Sequence, residues 1–278
     1  VFKSLKDSHK TICFTVIVLL LALGFSYIPG MLGFTYMLTP TLAVLIMMLV
    51  VTRDGYTKAG WKRLGLHKLG LKGWAAALLV PVLPLAASFA AVWLTGLSSL
   101  VVRDDFEGIS WTMFLPVMIF IFVKTVLTNS LGEELGWRGY LLPVMMGSMG
   151  KKPAMLLNGV IHGVWHFPLI INTDAYHAGE QLWILLPLTV ASTTFLAPVI
   201  GEVRLRTGSV WTSSIFHTMH NWLWLILGTL TVNHSESAQY ISGDMSIVVV
   251  LFYAAFTFYL WNRKASTDAR APMARFES

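Results

Sequence analysis

Apolar residues in this chain gather into runs near 11–29, 33–52, 73–97, 111–131, 153–172, 181–201, 209–231 and 246–261, separated by short polar stretches. At about 1.5 Å per residue, each run can cross a hydrocarbon core of about 30 Å as a helix. Period-2 alternation is absent, and lipid leaves no backbone polar group unpaired, so helix is the spanning form. The pattern predicts an all-α polytopic transmembrane bundle of about eight spans. One domain is expected over 1–262, followed by a polar tail at 263–278 read as cytoplasmic and disordered. The first run follows Lys3, Lys6 and Lys10, as a signal peptide would. It is long for one, and no A-x-A-like site ends it, so it reads as a retained first span. Neither an internal repeat nor a soluble second domain is visible.

Composition agrees. Hydrophobic residues make up 55% of the chain and charged residues 12%, against about 25% charged in a soluble domain. The net charge of +6 follows from where the basic residues fall and implies no nucleic-acid partner. With a cytoplasmic N-terminus, the inside segments hold Lys3, Lys6 and Lys10, then Arg53, Lys58, Lys62, Arg63, Lys68 and Lys72. Lys151 and Lys152, Arg204 and Arg206, and Arg263, Lys264, Arg270 and Arg275 follow. The outside loops keep Arg103 and are otherwise acidic, with Asp104, Asp105, Glu107, Asp174, Glu180, Glu236 and Asp244. An even number of spans with both termini cytoplasmic satisfies the positive-inside rule. The single cysteine, Cys13, excludes an intrachain disulfide.

Lys124 and Arg138 remain, both in a fourth helical segment that runs on past its apolar span to about Met149. That segment carries Glu133-Glu134 and Arg138. Ionisable groups inside a membrane cost at least about 2.5–3.5 kcal/mol each near the centre of a helix. On a helix, Glu134 and Arg138 stand at i,i+4 and can pair, while Glu133 points about 100° away. An interfacial, solvated cluster is the plain alternative. The fifth run holds His162 and His166 on one face; the seventh holds His217 and Asn221 on one face, with His220 pointing elsewhere. His162 and His220 read first as satisfied core histidines. By helical rise, His166 lies about 21 Å from Lys152, and His217 and Asn221 lie about 16 and 22 Å from Arg206. Glu133, His166, His217 and Asn221 are therefore expected in one buried polar layer, nearer the cytoplasmic face.

Glu133-Glu134-x-x-x-Arg138, then His166 followed by Phe167-Pro168, then His217-x-x-x-Asn221 resemble the three motifs of the CPBP intramembrane protease family. That family includes the CAAX prenyl endopeptidases and bacterial proteins linked to bacteriocin self-immunity. The resemblance covers about 130–221. His162 departs from it, because the family usually has an aromatic residue four positions before the second-motif histidine; the departure points to an extra metal ligand or an altered pocket and leaves the catalytic set intact. The resemblance implies an intramembrane endopeptidase acting on a CAAX-type or other membrane-associated peptide, in a bacterial cell membrane. Its partners would be a peptide or lipidated protein substrate and membrane lipid.

The roles it implies fit the chemistry of peptide hydrolysis, which needs an activated water and a stabilised oxyanion. Glu133 would be the general base, with His166 helping to hold the water. His217 and Asn221 would donate to the oxyanion, and Glu134 and Arg138 would form a supporting ion pair. Family members are often called metalloproteases, and Glu133, His166 and His217 would be the zinc ligands if one is held. There is no His-Glu-x-x-His motif, and an amide is a poor zinc ligand, so the expectation is no tightly bound cofactor, with zinc as the alternative. Two other functions suit intramembrane Glu and His residues. One is a non-catalytic immunity or scaffold protein on the same fold; the other is a transporter or proton relay, which commonly shows repeated halves.

Overall fold

The chain is an all-α transmembrane bundle in the computed structural model, which describes residues 5–30 and 33–263. Among the described residues, six helices are long and apolar enough to cross a membrane: α1 (Asp7–Ser26), α2 (Phe34–Val51), α3 (Leu71–Leu94), α4 (Trp111–Met149), α5 (Lys151–Asn172) and α6 (Leu182–Thr207). The last two apolar runs also fold as helices, α7 (Val210–Thr229) and α8 (Ile247–Asn262). His217, His220 and Asn221 dilute the hydropathy of α7, and α8 has 16 residues. The fourth segment ends at Met149, as its sequence predicts. The predicted tail at 263–278 lies outside the described residues except for Arg263.

Loops at the two ends of the bundle are tied down differently. At one end, β1 (Ser98–Leu100) pairs antiparallel with β4 (Thr231–Asn233), and β2 (Asp105–Phe106) pairs with β3 (Ile109–Ser110). At the other end, the basic 53–72 loop is fixed to the α6–α7 turn. Arg204 Nη2 donates to the Arg63 carbonyl at 3.0 Å, and Trp211 Nε1 donates to the Leu66 carbonyl at 2.9 Å.

Two apolar cores organise the helices. The first joins α1, α2, the later part of α4 and α5 around Phe14, Tyr36, Met47, Trp137 and Trp165. The second joins α3, α6, α7 and α8 around Leu85, Leu196, Phe216 and Tyr253. Helices α5 and α6 bridge them at close range. A Cβ on Gly159 would stand 2.4 Å from the Thr193 carbonyl oxygen, and one on Gly163 would stand 2.6 Å from Thr193 Oγ1. Two glycines one turn apart let helix backbones approach where lipid offers no hydrophobic drive to association. The polar layer lies between the two cores.

Candidate active site

Helix α4 delivers the glutamates through a break in its regularity. At Thr128 the backbone leaves helical geometry (φ −123°, ψ −88°), a short α-helical stretch follows over Asn129–Glu134, and Leu135–Leu141 is π-helical. Such widened turns recur at functional sites. Neighbouring helices satisfy the backbone here. The Gly132 carbonyl accepts from Thr41 Oγ1 of α2 at 2.6 Å, and the Trp137 carbonyl accepts from Asn158 Nδ2 of α5 at 3.0 Å. Glu133 and Glu134 are both buried.

The predicted i,i+4 pair is present: Arg138 Nη1 donates to Glu134 Oε1 at 2.8 Å, with both side chains fully buried. The same oxygen lies 2.9 Å from Nδ1 of His217, whose Nε2 turns toward Glu133 Oε1 at 3.9 Å. Glu134 thus pairs with Arg138 as expected and also meets His217, a contact the sequence did not indicate. Both carboxylates meet histidines because α7 packs directly on the 129–134 stretch, where Thr218 Oγ1 donates to Ser130 Oγ at 2.8 Å.

His162 is buried and hydrogen-bonded, as a core histidine is expected to be, but its partner is Glu133. The His162 Nε2 lies 3.0 Å from Glu133 Oε2, and the His162 ring stacks on Trp137 with centroids 4.9 Å apart. His166, one turn later, faces the His162 carbonyl with Nδ1 at 3.0 Å. His220 meets the Tyr253 hydroxyl with Nδ1 at 3.1 Å, a satisfied buried histidine as expected, but it also lines the cavity, so the expectation that it points elsewhere is corrected.

Glu133, His166, His217 and Asn221 line one cavity of about 50 Å³, together with His162, His220 and Ser192. Glu134 and Arg138 stand behind its wall. The volume holds one or two waters, each of which takes up roughly 30 Å³ in the liquid. His166 sits only six residues before the end of α5 at Asn172, and Tyr176, Asp244 and Met245 close the cavity from the loops beyond that end.

That closure was not read from the sequence. The Tyr176 hydroxyl bonds Asp244, and the Tyr176 ring stacks on His166 with centroids 5.7 Å apart. His177 sits between two acids, with Nε2 3.2 Å from Asp244 Oδ1 and Nδ1 2.6 Å from Glu180 Oε1, and its ring stacks on Trp224 of α7. Burial pulls the His177 imidazole down, but Asp244 and Glu180 outweigh it and hold its pKa at about 10. Burial pushes the Asp244 carboxyl up, and the adjoining His177 cation and Tyr176 bond bring it below its ordinary value. No periodicity links positions 176, 177 and 244, which come from separate loops.

Residues 111–223, from the start of α4 into α7, match the family described as type II CAAX prenyl endopeptidase Rce1-like. A similar curated protein is CAAX prenyl protease 2 of Methanococcus maripaludis, 24% identical over 158 residues, which is 55% of this chain and 52% of that protein. The chain thus spans about half the length of the curated relative it matches. All of Glu133, Glu134, Arg138, His166, His217 and Asn221 fall inside the family match.

Proposed function

We propose that this chain, which belongs to the CPBP family of intramembrane proteases, is an endopeptidase that hydrolyses a peptide bond of a membrane-associated substrate. The observation that carries the reading is one cavity lined by Glu133, His166, His217 and Asn221, contributed by three different helices.

In this reading Glu133 takes a proton from water held against His166, and the oxygen attacks the scissile carbonyl carbon. The tetrahedral oxyanion is held by the Asn221 amide and by His217 Nε2. With its Nδ1–H given to Glu134, His217 donates from Nε2 as the imidazolium. Glu133 then passes the proton to the departing nitrogen as the C–N bond breaks. Preorganised donors around a dry oxyanion are the largest single term in many such reactions. Arg138 and Glu134 support the site by fixing His217. Neither a serine nor a cysteine nucleophile is needed.

The substrate class we propose is a CAAX-type or other lipid-anchored peptide, in keeping with the family description and the relative's name. The test is mass-spectrometric mapping of products from a farnesylated CAAX peptide and its unprenylated twin. Wild-type protein in lipid nanodiscs is expected to release a C-terminal tripeptide, and Glu133→Gln is expected not to. Equal cleavage by both proteins would sink the reading.

A further inference from the structure

We propose that Glu133, His162 and His166 form a divalent-cation site of the zinc class, with His162 as the ligand that completes it. The cation's part in catalysis rests on the peptidase reading above; its binding does not.

Four observations carry the proposal. First, Glu133, His162 and His166 can each offer one ligand atom such that all lie within 4.8 Å of one another, and among the described residues no other such group occurs. Glu133 Oε2 and His162 Nε2 are 3.0 Å apart. Ligand atoms around a tetrahedral zinc, with bonds of 2.0–2.1 Å, stand about 3.4 Å apart. Loading therefore asks for side-chain shifts on the order of an ångström, without moving a helix.

Second, the donor set is right: one carboxylate and two imidazoles, with two of the ligands spaced i,i+4 on one helix, suit zinc. Third, the supporting contacts are those of a ligand shell. His166 has Nδ1 against the His162 carbonyl, which leaves Nε2 for a cation, the arrangement that fixes ligating histidines generally. The His162 ring is held by Trp137 on one side and Trp165 on another. Fourth, all three residues line the cavity that His217 and Asn221 also line, so a bound cation would face space for a water.

His217 was the expected third ligand. Its Nδ1 is engaged by Glu134 and its Nε2 stands 3.9 Å from Glu133, so it is better placed to donate to substrate than to close the ligand set. A cation here would also neutralise a carboxylate buried to 3% exposure, a costly group if left uncompensated. When bound, it would supply Lewis-acid activation to a water in the open position, and the Glu133 carboxylate would remain beside that water to take its proton.

The experiment titrates the chelator-stripped full chain in detergent with Co²⁺ as an optical probe, and measures zinc content after dialysis. Wild type is expected to take up about one equivalent with a tetrahedral visible spectrum. His162→Phe, which keeps a ring against Trp137, and His162→Gln should each weaken binding by more than ~100-fold, beyond what losing a supporting contact does. His217→Gln, which loses only a neighbour of the ligand set, should stay within about tenfold of wild type. Melting curves identify any variant that fails to fold, and the remaining His162 variants then decide.

Wild-type protein that takes up no cobalt overturns the proposal. So do His162→Phe or His162→Gln binding as wild type does, or His217→Gln losing as much as they do. Peptide cleavage is scored separately. A chain that binds cobalt as described and cleaves nothing keeps the cation site and removes the peptidase reading. Cleavage without cobalt uptake removes the cation site alone.

Discussion

At the scale of single residues, the two adjacent glutamates are expected to fail in different ways. Glu133 reaches His162 and faces the cavity. Glu133→Gln should therefore express and melt like wild type with almost no activity, because an amide does not accept a proton from water. Glu134 is the shared acceptor of a fully buried arginine and a histidine. Removing one partner of a buried pair leaves the other uncompensated, at about 3–5 kcal/mol. Glu134→Gln and Arg138→Leu should each lower the melting temperature, and their double variant should cost less than their sum. Glu134→Gln should in addition lower turnover per folded molecule, since His217 loses its anion; Arg138→Leu should do so less. If Glu134→Gln melts normally and is inactive while Glu133→Gln works, the base is Glu134. Asn221→Ala should reduce turnover by roughly 10²–10³ with little change in substrate affinity, the scale for one oxyanion donor. Loss of affinity with turnover intact would make Asn221 a binding residue instead. The Glu134–Arg138 pair was legible in the sequence because i,i+4 spacing decides it within one helix. The second partner of Glu134 and the contact of His162 were not, because each depends on how two helices are rolled against each other.

At the scale of elements, the eight helices were legible from apolar runs, and the π-helical stretch in α4 and the paired loop strands were not. Helical periodicity does not distinguish a π turn from an α turn over seven residues, and strands of two or three residues leave no pattern. The clamp over the cavity is the element with a pH signature. It joins the 173–181 loop to the loop before α8 through Tyr176, His177, Glu180 and Asp244. His177 has its pKa raised from 6.5 to about 10, so its contribution is fully present below 6.5 and is lost as pH rises through about 10. Asp244 is lowered from 3.8, so its contribution is present above 3.8 and is lost only as pH falls through its still lower folded value. The clamp is thus intact across the neutral range. Limited proteolysis of the 173–181 loop should be slow at pH 7 in wild type and accelerate toward pH 10. His177→Gln should be cut quickly at pH 7 already, with no further rise. A wild-type loop cut equally fast at both pH values would mean that the ion cluster does not hold it.

At the scale of the whole molecule, the bundle has two chemically different ends. One gathers Arg63, Leu66, Arg204 and Trp211 through direct hydrogen bonds, and Lys151 joins Glu202 at 2.5 Å in the same region. The other carries the β1–β4 pair, which brings Ser99 beside Val232, and the acidic loops around it. The fold therefore collects on one end the basic loops that the sequence alternates along its length, which is the condition for orienting a polytopic chain by charge. We propose that the basic end is cytoplasmic, with both termini on that side and eight crossings in all. Replacing Cys13 by Ala leaves a cysteine-free chain in which single cysteines report the side they face. Ser99, Ser237 and Thr57 are all exposed, so a membrane-impermeant maleimide should reach whichever face its compartment. Labelling from outside intact cells is expected at Ser99→Cys and Ser237→Cys, and at Thr57→Cys only after the membrane is opened. The two outer positions test different things. Ser99 follows α3 and Ser237 follows α7, so their agreement requires the four intervening helices to make an even number of crossings. Opposite labelling of Ser99→Cys and Ser237→Cys would break the eight-span reading, whatever the orientation. Agreement between them together with outside labelling at Thr57→Cys alone would keep the span count and invert the molecule.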